Sequence, residues 1–296
     1  MSRFRAIAIL IGFFCFTLPL MPLQLLLLRA RAPAARTLPH WYHRQLCRLL
    51  GLRVHRSGEV SGDRPVLLVS NHISWLDIPV LSALTPLSFV AKQEVAGWPF
   101  VSWLAKLQRT VFVDRERRAN VVQTTEGIVS RLRAGDRIVL FAEGTSSDGN
   151  RVLPFRTSLF AAAKPHRGGD GGHDHRIYVQ TLAVAYTALH GLPLGRRGRP
   201  LVAWYGDMDM ASHVWGLLRR GPIDVHVRLS EPVALAEFAD RKALARYSEA
   251  RVRRDVAALL AQRRDGAAAA GTAVDADPAD GGVPDMPDMD GPLKSA

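Results

Sequence analysis

Residues Ala6–Leu28, AIAILIGFFCFTLPLMPLQLLLL, form a run of 23 residues without a single charge. Coiled as one helix, the run would reach about 34 Å, slightly more than a hydrocarbon core of about 30 Å. A signal peptide has a shorter apolar region, about 7–15 residues, so a retained membrane anchor is expected even though Ala30-Arg31-Ala32 offers an A-x-A-like site. Pro19 and Pro22 interrupt the backbone donors of such a helix. Two geometries are therefore open, a single span or a bent, re-entrant helical pair. Arg3 and Arg5 precede the run, and the larger cluster Arg29, Arg31 and Arg36 follows it. That bias places the body on the cytoplasmic side of an inner or plasma membrane.

Charge agrees with a membrane partner. The net charge is +12, but Asp265–Ala296 carries seven Asp and one Lys, a net of −6, which leaves +18 on residues 1–264. So basic a body is drawn to anionic surfaces. The apolar N-terminus selects acidic lipid headgroups over nucleic acid, for which no recognition motif is present. Cys15 lies in the apolar run and Cys47 in an expected helix, which suits neither a disulfide framework nor a zinc site.

The rest of the chain reads as three segments: an anchor at 1–35, a catalytic domain at 36–264 and a disordered acidic tail at 265–296. His40–Leu50 is expected to be a short amphipathic helix stopped by Gly51. Buried strands are expected at Val66–Val69, Leu87–Ala91, Thr110–Val113, Ile138–Phe141, Ile177–Ala185, Leu201–Tyr205 and Asp224–Leu229. Helices are expected at Trp98–Leu107, Val121–Ala134, Arg156–Ala163 and Glu237–Arg263. Alternating strands and helices indicate an α/β domain, a largely parallel or mixed sheet flanked by helices.

Three stretches carry chemistry. In Asn71-His72-Ile73-Ser74-Trp75-Leu76-Asp77, a His leaves a buried strand and an Asp follows five residues later. An alcohol attacks a thioester only if its proton is removed during attack, and imidazole suits that task near neutral pH. A carboxylate would hold the ring tautomer and stabilise the imidazolium. Spacing of five fits a loop His and an Asp in the first turn of the next helix, although a helix-capping Asp beside a loop His would look the same. In Phe141-Ala142-Glu143-Gly144-Thr145-Ser146-Ser147, Gly and hydroxyl residues at a strand exit could bring backbone N–H groups to a polar headgroup, or could make an ordinary turn. Phe112-Val113-Asp114-Arg115 ends in an Arg suited to bidentate phosphate binding, or to plain surface exposure.

These stretches occur in order, each after an apolar strand, and together they resemble the glycerolipid acyltransferase family that contains 1-acyl-glycerol-3-phosphate acyltransferases. Asn71–Asp77 is similar to its NHxxxxD block. Phe89–Lys92 with Thr110–Arg115 resembles its second block, Phe141–Thr145 its F-P-E-G-T block, and Val179–Leu182 its V-x-P-V block. The resemblance covers Val66 to Pro232. It implies the glycerolipid acyltransferase fold, catalytic His72 and Asp77, and an acceptor held by Asn71, Arg115, Glu143, Gly144, Thr145 and Arg151. It also implies a lysolipid acceptor, acyl-CoA or acyl-carrier protein as donor, no other cofactor and no metal. Ala142 and Thr181 stand where the family has Pro, and Ser146 where many members carry an Arg that meets the acceptor phosphate. The phosphate role would then fall to Arg115, Arg151 and Arg156, or the acceptor differs. The expected reaction is acylation of 1-acyl-sn-glycerol-3-phosphate to phosphatidate. EGTSSDGNRVLPF and AWYGDMDMASH are also similar to the branch with lyso-ornithine lipid acyltransferases, which esterify a 3-hydroxyacyl chain.

Trp98–Leu107 could border an acyl-chain groove or simply pack in the core. His166, His173 and His175 in a Gly-rich loop, and Asp207, Asp209 and His213 after a strand, are explained without a metal. No G-x-S-x-G elbow is present, against a serine hydrolase. A lipid-binding protein without catalysis is the main rival, and it has no use for the His72/Asp77 pair.

Overall fold

The computed structural model describes residues 2–62, 64–113, 118–163 and 177–271, of which 118–125, 161–163 and 262–271 are described as backbone only. Its centre is a mixed sheet in the order β1-β8-β6-β2-β5-β3-β4. The strands are β1 (Leu52–Ser57), β2 (Val66–Ser70), β3 (Ser88–Lys92), β4 (Val111–Val113), β5 (Ile138–Phe141), β6 (Tyr178–Leu189) and β8 (Ile223–Leu229). Two short strands, β7 (Leu192–Pro193) and β9 (Val233–Ala234), pair with β6. From β6 to β4 all neighbours are parallel, whereas β8 runs antiparallel to β6 and carries β1 parallel to itself.

The central strands are apolar on both sides because helices cover both faces. On one face Val66 and Leu68 of β2 join Leu182 and Val184 of β6 in a core closed by Leu46 and Leu50 of α2 (Ala34–Leu50), Leu76, Val80 and Leu81 in and before α3 (Asp77–Ser82), and Leu217 of α6 (Met210–Leu218). On the other, Leu67, Val69, Ala183 and Ala185 meet Ile128 and Leu132 of α5 (Arg118–Arg133) and Leu244, Val252 and Val256 of α7 (Arg241–Gly271). Two cores on one sheet suit a chain of this length.

Most elements lie within a few residues of expectation. Leu201–Tyr205 is not a strand: Arg199–Leu201 is a 3₁₀ turn and the segment then leaves the sheet as a loop. Its apolar residues, Val202 and Ala203, fill the core from outside the sheet, which imitates a buried strand in sequence. The expected helix at Arg156–Ala163 is a 3₁₀ helix at Thr157–Ala163. Helix α7 continues to Gly271, across the boundary expected at 264/265, and residues 272–296 of the expected disordered tail lie outside the described residues. Likewise the boundary at residue 35 falls in the first turn of α2. Gly51 stops α2 as expected, at φ +76°.

The apolar run lies within one continuous helix, α1 (Ser2–Arg29), through both Pro19 and Pro22, not a bent pair. It is fastened along its length to the body. The Arg5 guanidinium donates to the carbonyls of Leu218 and Arg220, and to that of Leu50 at 3.2 Å. The Thr17 and Tyr42 hydroxyls share a hydrogen bond of 2.8 Å. Gln24 donates to the carbonyls of Ala35 at 2.9 Å and Leu107, the last residue of α4 (Val101–Leu107), at 3.0 Å. From Arg5 to Gln24 is about 28 Å of helix. Phe4, Ile7, Ile11, Phe14 and Leu18 recur every three or four residues, and all are exposed. This is an apolar stripe pointing away from the body.

Candidate active site

Strands β2 and β5 pair in parallel, with Ser70 opposite Phe141, so the two chains leave the sheet side by side. That pairing brings the His72 loop and the Glu143 loop together at the carboxyl edge of the sheet. Three backbone hydrogen bonds brace the junction: Ala142 N–H to Ser70 at 3.2 Å, Ser147 N–H to His72 at 2.9 Å and Trp204 N–H to Ile73 at 2.9 Å.

Asp77 opens α3, as the spacing of five predicts. Its carboxylate is completely buried. Oδ2 accepts from His72 Nδ1 at 2.8 Å, Ile73 N–H at 2.7 Å and Ser74 N–H at 3.1 Å, while Oδ1 accepts from the Tyr186 hydroxyl at 2.7 Å. Four donors meet the two oxygens, the pattern of a carboxylate that only accepts. An ionised Asp77 accepts only, so the proton on this contact belongs to His72 Nδ1 and the lone pair of the imidazole lies on Nε2. The His72 side chain is 20% exposed. Its ring stacks on Phe141 with centroids 4.1 Å apart and planes 22° from parallel. Among the described residues, nothing hydrogen-bonds to Nε2. A fixed ring with an open basic nitrogen is the arrangement a general base requires.

The other expected site residues divide into two groups. Glu143 and Asn71 are buried and committed to backbone. Glu143 accepts His72 N–H and Leu153 N–H, each at 2.9 Å, one on each carboxylate oxygen. Burial pushes its acid up to about 8, against the opposing pull of these two donors. It holds the His72 loop rather than opening onto a cleft. Asn71 donates to the Val184 carbonyl at 3.0 Å and accepts Val184 N–H at 2.8 Å, so it splices the exit of β2 to β6. The side chain is buried, and these two bonds tie it to β6. Replacing Asn71 by Ala strands both Val184 groups in a dry interior, and the expected cost is about 3 kcal/mol, seen as a lower melting temperature. Thr145 and Arg151 are exposed on the loop that passes His72, and Gly144 turns that loop at φ +72°. Arg115 and the His166–His175 loop lie outside the described residues.

The departures from the family blocks have local explanations. A proline at 142 would lose the Ala142 N–H bond that extends the β2–β5 ladder. One at 181 would lose the Thr181 N–H bond to Ser230 Oγ at 3.1 Å. Ser146, the third departure, donates its hydroxyl to the Trp204 carbonyl at 2.5 Å. It ties the two loops around Ile73 together and places no cation there. Asp209 caps α6 by accepting Ser212 N–H at 2.8 Å, and His213 accepts the Trp75 indole N–H at 3.2 Å, so that polar group is structural. Among the described residues no group of three or more His, Cys, Asp or Glu could hold a metal. Sequence reading missed Tyr186. A tyrosine in a buried strand needs a partner for its hydroxyl, and that was its only signal.

Comparison with known proteins agrees with this geometry. Residues 51–185 match the family model described as Acyltransferase. The chain is 49% identical over 249 residues to a lyso-ornithine lipid O-acyltransferase of Brucella abortus, covering 84% of this chain and 92% of that protein. It is 41% identical over 271 residues to one of Rhizobium meliloti, covering 92% and 91%. A 1-acyl-sn-glycerol-3-phosphate acyltransferase of Neisseria meningitidis is 30% identical over 210 residues, covering 70% and 75%. In fold, the crystal structure of the 1-acyl-sn-glycerophosphate acyltransferase PlsC from Thermotoga maritima superposes with a TM-score of 0.60 at 23% identity, covering 87% of this chain and 94% of that one. With a paired His and Asp at the sheet edge and relatives matched over nearly their full length, this chain belongs to the acyltransferase family and is an acyltransferase acting on a lysolipid.

Proposed function

We propose that the chain transfers a fatty acyl group from an acyl thioester to the hydroxyl of lyso-ornithine lipid. The observation that carries the chemistry is the open Nε2 of His72 on an imidazole whose Nδ1 is fixed by buried Asp77. Nε2 takes the proton from the acceptor hydroxyl as its oxygen adds to the thioester carbonyl. The tetrahedral intermediate then expels the thiolate, which recovers the proton from the imidazolium. Asp77 stays ionised throughout and stabilises that cation. Glu143 and Asn71 hold the loop, and Thr145 and Arg151 border the acceptor. The thioester, on CoA or on a carrier protein, is the sole co-substrate that these steps need.

The choice of acceptor rests on two observations. Relatives named for lyso-ornithine lipid are 49% and 41% identical to this chain, while one named for 1-acyl-sn-glycerol-3-phosphate is 30% identical. In addition, Ser146 gives a headgroup phosphate no charge partner. The first expectation, phosphatidate formation, therefore yields to its alternative. Helix α1 fits membrane attachment along a surface. The body flanks it for most of its length, so a perpendicular crossing would drag the ends of α2, α4 and α6 into hydrocarbon. Lying flat, it presents the Phe4–Leu18 stripe to lipid, beside exposed Trp41 and Trp103. The basic residues that follow α1 favour the cytoplasmic leaflet.

The test is direct. Purified protein in detergent is given lyso-ornithine lipid or 1-acylglycerol-3-phosphate, each with acyl-CoA and with acyl-carrier protein. We expect kcat/KM to favour lyso-ornithine lipid by at least about tenfold, a difference of about 1.4 kcal/mol. A preference for the phosphate acceptor would overturn the assignment of substrate, and transfer to neither would overturn the function.

A further inference from the structure

Asp77 has two oxygens, and the His72 pair uses one. The other, Oδ1, points into a sealed interior, where an unpartnered carboxylate oxygen would be costly. It meets a hydroxyl there. Strand β6 pairs with β2 only as far as Leu182 opposite Ser70, then continues for seven residues beyond it, under the start of α3. Alternation along β6 turns Leu182, Val184 and Tyr186 to the same face, where the core contains α3. The third of them reaches Asp77, and the Tyr186 hydroxyl donates to Oδ1 at 2.7 Å with both side chains buried. A bulge follows at once, between Tyr186 and Ala188 in the pairing with β8.

We propose that Tyr186 is a positioning residue for acyl transfer, acting through Asp77 to keep the carboxylate oriented against His72. This rests on the reading of His72 as the base. A partial rotation of the carboxylate about its Cβ–Cγ bond would break the three contacts at Oδ2. The tyrosine removes the incentive by giving Oδ1 its own donor. Its hydroxyl also draws part of the carboxylate's charge away from the imidazole.

The titratable groups around the pair are few. Glu143 faces it from the loop after β5, and Cys47 faces Tyr186 from α2. Burial and the neighbouring Asp77 charge raise the Tyr186 phenol well above its ordinary range, so it remains a donor throughout the working pH. Without the hydroxyl, Asp77 pulls harder on the His72 proton, and the imidazole becomes a stronger base. Neutral imidazole is the active form, so activity is then lost at a higher pH on the acid side.

Tyr186→Phe removes the hydroxyl and keeps the ring. The expected result is a fall in kcat of roughly tenfold, from the loss of a hydrogen bond to a charged group. KM for both substrates should be unchanged, and the acid limb of the pH–rate profile should move upward. A melting-temperature loss alone would follow from removing any buried hydroxyl, so the deciding measurements lie elsewhere. In an Asp77→Asn background the additional effect of Tyr186→Phe on kcat should vanish, because the tyrosine acts only through the Asp77 carboxylate. An imidazole nitrogen NMR titration of His72 should show the same upward shift whether or not turnover is detected. Unchanged kcat and titration, or an equal loss in the Asp77→Asn background, would overturn the role of Tyr186. Failure of the wild type to transfer acyl groups would instead overturn the proposed function, while the titration still decides the coupling.

Discussion

Replacing His72 by Ala is expected to lower kcat by about a thousandfold, within the usual range of about 10²–10⁴ for losing a positioned general base. Binding of either substrate should change little, because the ring has its role only when the acceptor proton moves. The fold should tolerate the change. His72 is partly exposed, its backbone contacts with Glu143 and Ser147 do not involve the ring, and Asp77 keeps Ile73, Ser74 and Tyr186 as donors. The lost stacking on Phe141 should cost about 1 kcal/mol or less at this surface position. Membrane attachment should be unaffected, since the hydrogen bonds that fasten α1 run to Leu50, Tyr42, Ala35, Leu107, Leu218 and Arg220 and not to His72. Steady-state rates, sedimentation with membranes and a melting curve test the three statements separately. Activity within threefold of wild type would end the case for His72 as the base.

Much of this site could be read from sequence because its parts are local. His72 and Asp77 lie five residues apart, and the rule that a strand exit is followed by a helix start places them face to face. The strands themselves announce their burial through unbroken apolar runs. Harder to read were the long-range partners. Tyr186 is 109 residues from Asp77, and only the parallel pairing of β2 with β6 brings it there. Asn71 looked like a ligand because it stands next to the base, yet its amide is spent on Val184, 113 residues away. Glu143 likewise carries a charge-bearing group that serves two backbone N–H donors.

Composition misled in two other places. Val202 and Ala203 are as buried as strand residues, but they are wedged beside the sheet by the Arg199–Leu201 turn. The Ala-rich run at 267–270 gave no sign of the end of α7, since alanine is the best helix former and the helix runs on to Gly271. Hydropathy alone also could not separate a helix crossing a membrane from one lying along it. The proposal that α1 lies along the surface rests on Arg5, Thr17 and Gln24, three polar residues spaced along it that each find a partner on the body.

Asp77→Asn should cost activity nearly as much as losing the imidazole while leaving the fold intact, and possession of both outcomes is what makes it informative. The amide oxygen of Asn can take the place of Oδ2 and accept from Ile73, Ser74 and His72 Nδ1. Its NH₂ then sits where Oδ1 was and donates to the Tyr186 hydroxyl, which can accept as readily as it donates. All four contacts of the side chain keep a counterpart, the one to Tyr186 with its direction reversed, and a fully buried charge disappears. The melting temperature should therefore be equal to or above that of wild type, the pattern expected where a site is held at some cost to stability. Catalysis loses the anion that stabilises the imidazolium in the transition state, and kcat should fall by about 10³-fold, by analogy with a triad stripped of its carboxylate charge. Asp77→Ala, in contrast, leaves the Ile73, Ser74 and Tyr186 donors without an acceptor and should destabilise the protein by several kcal/mol, of order 3–5. If Asn at 77 melts as wild type and turns over at a similar rate, the charge is structural and the dyad does not work as a unit. If it unfolds, the side-chain exchange described above does not occur. Only a stable, inactive variant satisfies the chemistry assigned to this pair.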